Sequence, residues 1–301
     1  VSVRAVELQG AFGLDHLAMV ERPEPRPGFG QALVRVHAAA LNYRDLMMVT
    51  GLYNPRQRLP LIPCSDGAGE VVAVGEGVTR VRPGDRVCSI FAQGWLAGEP
   101  GREALRTTLG GPLDGMLAEQ VVLAADGLVK MPDHLSYEEA ATLPCAAVTA
   151  WTSLIERGLR SGETVLLQGT GGVSIFALQL AVQAGARVII TSSSDEKLAR
   201  ARELGAAAGI NYRQVAEWGV RARELAGGEG VDHVVEVGGA GTLGQSLQAV
   251  RAGGRIALIG VLSGAAAEVQ LTTVLMRLVR IEGFLVGSRA SFESMNRAIA
   301  L

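Results

Sequence analysis

The sequence predicts an α/β protein in two parts, a β-rich N-terminal domain followed by a doubly wound parallel sheet. Three observations predict it. At 301 residues the chain is too long for one ordinary core and suits two domains. Up to about residue 135 the apolar runs are short and separated by turn residues, whereas after Ser136 apolar strands alternate with amphipathic helices. A glycine-rich turn, Gly169-Thr170-Gly171-Gly172-Val173-Ser174, stands between the first strand and the first long helix of that alternation.

In the first part, residues 3–6, 33–38, 70–74, 86–90, 117–123 and 128–131 read as strands. Gly75-Glu76-Gly77 and Pro83-Gly84-Asp85 supply turns. Residues 92–115 have scattered Gly and Pro and no period, which predicts a long surface loop. Ser136 with Glu139 three residues on is a capping box that opens a helix. Beyond it, strands are expected at 164–168, 187–191, near Ile210, and at 231–237, 255–259 and 281–286. Helices are expected at 173–184, 195–204, 214–225, 243–250 and 273–278.

Charge excludes some partners. The 28 basic and 30 acidic residues are interspersed and leave a net charge of -2, so there is no field for nucleic acid and no polybasic patch for a membrane. The opening VSVRAVELQG lacks the regions of a secretory signal. Apolar stretches are broken well short of the roughly 18 residues of a membrane span, so the cytoplasm is the expected location. Cys64, Cys88 and Cys145 form no CxxC pair, and His16, His37, His134 and His233 are scattered, so no metal site is expected.

The glycine turn carries the strongest chemical signal. A tight turn must let the backbone approach a pyrophosphate, whose charge then rests on amides at a helix N-terminus. A nicotinamide dinucleotide is therefore expected on Gly169, Thr170, Gly171, Gly172 and Val173, with the small Ser174 replacing the last Gly of G-x-G-x-x-G. NAD-binding folds place Asp or Glu at the end of the second strand, about 20 residues further on. Here that strand ends in Ser192-Ser193-Ser194, with Lys197 one turn beyond. Hydroxyls and a cation in place of an acid suit a 2′-phosphate, so NADPH is expected over NADH. Asp195 argues the other way unless it serves the helix dipole. Tyr212 is placed to stack on the adenine or touch the 2′-phosphate. The positions beyond the later strands, Val237-Gly238-Gly239, Gly260-Val261-Leu262 and Val286-Gly287-Ser288, are expected to line the crevice.

Taken together, the residues resemble the medium-chain dehydrogenase/reductase superfamily. The markers are Gly67-Ala68-Gly69-Glu70-Val71-Val72-Ala73-Val74-Gly75, Pro83-Gly84-Asp85-Arg86-Val87, Ala140-Ala141-Thr142-Leu143-Pro144 and Gly169-Thr170-Gly171-Gly172-Val173. The resemblance implies a GroES-like catalytic domain over residues 1–145 and a Rossmann domain over 146–285. Residues 286–301 would then start a segment returning to the catalytic domain. A homodimer paired through the cofactor domain is also implied.

Zinc alcohol dehydrogenases of this superfamily hold their catalytic metal with Cys, His and Cys. Those positions here are Asn42, Ser65 and Cys145, and residues 92–115 lack the four cysteines of a structural zinc lobe. Zinc is not expected. Leu41-Asn42-Tyr43-Arg44-Asp45-Leu46-Met47-Met48 and Gly51-Leu52-Tyr53 resemble the quinone oxidoreductase and enoyl reductase branch, which works without metal. The resemblance implies that Asn42 and Tyr53 face nicotinamide and substrate, as oxyanion donor and proton donor respectively. Thr149 would pack beside the nicotinamide ring. The plainer alternatives are Asn42 as a turn former and Tyr53 as a loop aromatic, and Arg44 and Asp45 are expected in structural or interdomain pairs.

Two other functions stay open at this point, an alcohol or aldehyde dehydrogenase and a dinucleotide-binding protein without turnover. Members of the superfamily continue past this point. Here the sequence ends at Ala300-Leu301 in a helix expected to begin near Phe292, so an incomplete return and a more open substrate cleft are expected.

Overall fold

The computed structural model describes residues 2–301. They form two units, residues 2–148 with Val286–Leu301, and Thr149–Leu285. In the first unit β1 (Ser2–Leu8) pairs with β2 (Leu17–Pro23) as an antiparallel ribbon. β3 (Gln31–Ala40), α1 (Tyr43–Val49), β4 (Asp66–Val74), β5 (Arg86–Ser89), β6 (Gln120–Ala124) and β7 (Leu128–Lys130) follow. The five strands after β2 form an antiparallel sheet in the order β6-β3-β4-β5-β7. Its core is Ala32, Val34, Val71, Val87, Leu123 and Leu128.

Sequence patterning missed β2 because a ribbon strand that pairs only with β1 keeps neither face dry. Its residues alternate between partly buried and exposed, without an apolar run. The expected surface loop at 92–115 is corrected in part. Ala92, Gln93, Trp95, Thr108 and Leu109 are buried, and a short 3-10 turn occupies Ala104–Thr107.

The helix predicted at Ser136 is α2 (Tyr137–Ala141), with Glu139 donating its amide to Ser136 Oγ at 3.2 Å and Ser136 N donating to Glu139 at 2.9 Å. The chain then winds through a π-helical stretch (Leu143–Ala147), α3 (Val148–Ala150) and a second π-helical stretch (Trp151–Ile155).

In the second unit strands and helices alternate: β8 (Thr164–Leu167), α4 (Gly172–Gln183), β9 (Arg187–Ser192), α5 (Asp195–Glu203), β10 (Ala208–Asn211), α6 (Trp218–Leu225), β11 (Val231–Glu236), α7 (Leu243–Ala249), β12 (Val250–Leu258), α8 (Leu271–Met276) and β13 (Arg280–Gly283). All six strands are parallel, in the order β10-β9-β8-β11-β12-β13. Val165, Leu166, Leu167, Val188, Ile189 and Ile190 are fully buried, as strands covered on both faces must be. The strand order reverses between β8 and β11, which makes that point the place where such folds bind ligands.

Two boundaries move. The helix expected from 214 begins at Trp218, because Gln214 and Val215 first donate back to the Asn211 carbonyl in a turn. The sixth strand stops at Gly283, and Val286 takes a left-handed φ of 55°, which no strand residue can hold. Ser288 then caps α9 (Arg289–Ile299), which returns to the first unit through Asn296 on the Lys130 carbonyl at 3.0 Å and an Arg80–Glu293 ion pair.

Candidate active site

In the first unit the site is built around one carboxylate. Asp66 opens β4 and is fully buried. The Ser65 hydroxyl donates to its Oδ1 at 2.6 Å, and the Cys145 amide donates to its Oδ2 at 2.8 Å. Cys145 lies in the first turn of the π-helical stretch, where an amide has no partner within the helix, so Asp66 serves as its cap. Burial pushes Asp66 up to about 6, while Ser65, the Cys145 amide and the nearby Asn42 side chain hold it down.

Asn42 stands just before α1. Asp45 accepts the Asn42 backbone amide at 2.8 Å, which ties down the start of that helix. The Asn42 side-chain nitrogen is buried and close enough to Asp66 to favour its charge, without closing a hydrogen bond of normal geometry. Burial pushes Asp45 up as well, against the Asn42 amide and the Arg44 charge.

Arg44 packs between the rings of Tyr53 and Phe91, with its carbon 5.1 and 4.9 Å from their centroids, and donates to the Leu109 and Gly111 carbonyls. Tyr53 is thus held on a fixed cation while remaining 44% exposed. Arg44 and Asp45 pair within this unit at 3.7 Å and act as scaffold.

The structure therefore gathers Asn42, Ser65 and Cys145 around Asp66. An amide and a hydroxyl already donating to a carboxylate leave a single thiol among the three positions, a poor donor set for zinc. Among the described residues no group of three or more His, Cys, Asp or Glu is arranged to hold a metal ion.

In the second unit the strand β8 runs into the glycine turn. Gly169 has a φ of 69°, which favours glycine, and its amide donates to Thr191 Oγ1 at 3.1 Å. A side chain on Gly171 would meet no protein atom, so the turn leaves open space above the N-terminus of α4. Gly172 and Val173 begin that helix, with amides free for a phosphate. Ser174 is buried and its hydroxyl closes on the Gln168 carbonyl at 2.7 Å, fixing helix to strand. These residues fit the pyrophosphate of a dinucleotide.

The adenine side is polar and uncharged at the end of β9. Ser192 is buried, 3.4 Å from the Thr170 hydroxyl, with Ser193 half-buried beside it. Lys197 is exposed on α5, whose N-cap Ser194 accepts the Lys197 amide. Asp195 accepts from Asn211 and Gln214, at 2.8 and 2.9 Å, which ties it to the end of β10. Tyr212 donates its amide to the Ser192 carbonyl, so Tyr212 and the exposed Arg213 stand next to the serines. Sequence reasoning passed over Arg213; its signal was a cation directly after an aromatic at a strand end.

On the other side of β8, the turns after β11 and β12 are locked together. Gly260 must be glycine, since a Cβ would lie 2.3 Å from the Val237 carbonyl oxygen. Gly238 gives its amide to Glu236 and its carbonyl to Ser263, so it carries the turn and offers no free polar group. Val261 is exposed beyond β12, and Val237 is half-buried. Thr149 is buried at the start of this unit. Val286 and Gly287 lie beyond the end of β13, in the first unit. The residues missed altogether are Asp66, Gln168 and Glu236, whose only signal was a lone polar residue at the edge of an apolar run.

The chain matches the family models for an alcohol dehydrogenase GroES-like domain over residues 28–133 and for a zinc-binding dehydrogenase over residues 172–300. It is similar to a zinc-type alcohol dehydrogenase-like protein of Schizosaccharomyces pombe, 44% identical over 303 residues that cover 98% of this chain and 88% of that one. Acryloyl-coenzyme A reductase of Metallosphaera sedula is 36% identical over 247 residues, 80% of this chain and 72% of that one. A solved quinone oxidoreductase from Pseudomonas syringae pv. Tomato has a TM-score of 0.84 at 30% identity, covering 99% of this chain and 87% of that one. The chain belongs to the medium-chain dehydrogenase/reductase superfamily and is one of its NAD(P)-dependent oxidoreductases.

Proposed function

We propose that the chain is a zinc-independent, NADPH-preferring reductase that passes a hydride to a quinone, an enone or another activated alkene or carbonyl. One observation carries the reading: the three positions that hold zinc in other members are an amide, a hydroxyl and a thiol organised around the Asp66 carboxylate. When bound, the nicotinamide supplies the hydride. The chain's own residues orient the acceptor and manage the proton. The buried Asn42 side-chain nitrogen is a donor in want of an acceptor, suited to an oxygen on which negative charge develops. Tyr53, held on Arg44 and half open to solvent, is the proton donor.

On the cofactor side Lys197, Tyr212, Ser192 and Ser193 favour a 2′-phosphate, with Arg213 added to them. The names of the relatives, a quinone oxidoreductase and an acryloyl-coenzyme A reductase, agree with an activated acceptor. The test is quinone and enone turnover in Tyr53→Phe. Turnover should fall about a hundredfold or more, the usual worth of a general acid, with NADPH affinity kept. Unchanged turnover would return Tyr53 to a packing role.

We also propose a homodimer through the second unit. β13 is an edge strand, and Leu271, Leu275, Met276 and Leu278 beside it are 68–78% exposed, an apolar area that a second copy would cover. Sedimentation should give twice the chain mass, and Ile281→Lys should give monomers; a monomeric wild type would contradict the dimer. Among the described residues no helix is long and apolar enough to cross a membrane.

A further inference from the structure

A second buried carboxylate lies in the cofactor unit, outside every role given so far. Glu236 ends β11 with no exposed surface. Its Oε1 accepts the amides of Gly238 and Gly239, at 2.8 and 2.9 Å, and the Thr242 hydroxyl at 2.5 Å. Its Oε2 accepts the Ser246 hydroxyl at 2.5 Å and the Gln168 side-chain amide at 2.6 Å. All five contacts run toward the carboxylate, the pattern of an acceptor-only group, and no ion pair reaches it among the described residues. Gln168 in turn accepts the amides of Val237 and Gly238 and directly precedes the glycine turn. The group therefore pins both cofactor-facing turns to one negative centre.

Sheet topology says which half of the ligand this centre serves. The glycine turn with β9 and β10 makes the adenosine half of a doubly wound fold, so β11, β12 and β13 make the nicotinamide half. Nicotinamide is cationic when oxidised and neutral when reduced. A carboxylate in a dry wall at that end acts on the first form and not on the second.

We propose that Glu236 is a positioning residue that sets the redox preference of the cofactor site, tightening the oxidised dinucleotide relative to the reduced one. The inference rests on the nicotinamide-dinucleotide reading above. An enzyme that donates hydride gains from it, because the charge that appears on the cofactor during transfer is stabilised in place.

The test is a pair of titrations, NADP+ and NADPH, on the full chain and two variants. Glu236→Gln should lower the ratio of NADP+ affinity to NADPH affinity at least about fivefold, which is what one charge at an effective dielectric of about 20 supplies from as far as roughly 17 Å. Ser246→Ala keeps the charge and removes one donor that neutralises it, so it should move the ratio the other way by about twofold. A merely structural role would shift both affinities together in both variants, leave the ratio fixed, and overturn the proposal. If Glu236→Gln fails to fold, the sign of the Ser246→Ala shift decides: toward NADP+ supports the proposal, unchanged or toward NADPH overturns it. A wild type that binds neither dinucleotide overturns the proposed function, and this inference with it.

Discussion

Each unit of the molecule buries one carboxylate completely, and the two are held in opposite ways. Glu236 meets five donors and leaves no polar atom of its surroundings wanting. Asp66 meets two, beside an Asn42 nitrogen that closes no hydrogen bond of normal geometry, and next to Cys64, which holds a left-handed φ of 71°. Burial, with Asp45 and Asp66 nearby, pushes the Cys64 thiol up to about 12. A saturated network specifies one backbone arrangement, which a cofactor cradle needs before any ligand arrives. Unsatisfied buried groups cost stability and persist where a ligand completes them. The difference separates a rigid platform from a reactive pocket.

The largest expected effect breaks the comparison at its strongest point. Glu236→Ala strands five donors in a dry wall and should destabilise the chain by at least about 3 kcal/mol in a denaturant titration. Asn42→Ala removes a nitrogen that closes no hydrogen bond of normal geometry and one side of a capping box, and should cost about 1 kcal/mol, because Asp45 still holds the Asn42 backbone amide. Equal losses would dissolve the contrast.

A pH titration sharpens it from the other side. The folded protein holds the Asp66 proton up to about 6, well above an unfolded aspartate. The folded state therefore binds more protons in the window between the two values. Stability falls as pH rises from about 4 to about 6, by about 3 kcal/mol at full effect, and stays level above it. Asp66→Asn should lose that slope; a variant that keeps it would place the slope elsewhere. The smallest effect lies on the adenine side. Lys197→Ala should weaken NADPH about tenfold, or about 1.4 kcal/mol, and leave NADH nearly unchanged. Equal loss for both would remove the 2′-phosphate role.

What could be read from the sequence was local. Ser136 and Glu139 are three residues apart and cap their helix as their spacing predicts. The turn at Gly169 sits between strand and helix because three glycines leave little alternative there. β8 and β9 carry the apolar runs Val165-Leu166-Leu167 and Val188-Ile189-Ile190, which is what a strand covered on both faces looks like. The features that give the pocket its chemistry join distant positions. Cys145 meets Asp66 across 79 residues, and Gln168 meets Glu236 across 68, so neither pair leaves a pattern in any short window. Asp195 shows the same limit, since only the fold reveals that Asn211 and Gln214 occupy it.

The proposed protein is a nicotinamide-dependent reductase that needs no zinc. The most direct measurement is metal analysis of the purified chain, followed by fluorescence titration with NADPH and NADH and by oxidation of NADPH with a 1,4-quinone and an enone. The expected result is no stoichiometric zinc, tighter NADPH than NADH, and consumption of NADPH by at least one acceptor. One equivalent of zinc that turnover requires would contradict the reading of Asn42, Ser65 and Cys145, and dinucleotide binding without turnover on any acceptor would contradict the catalytic claim.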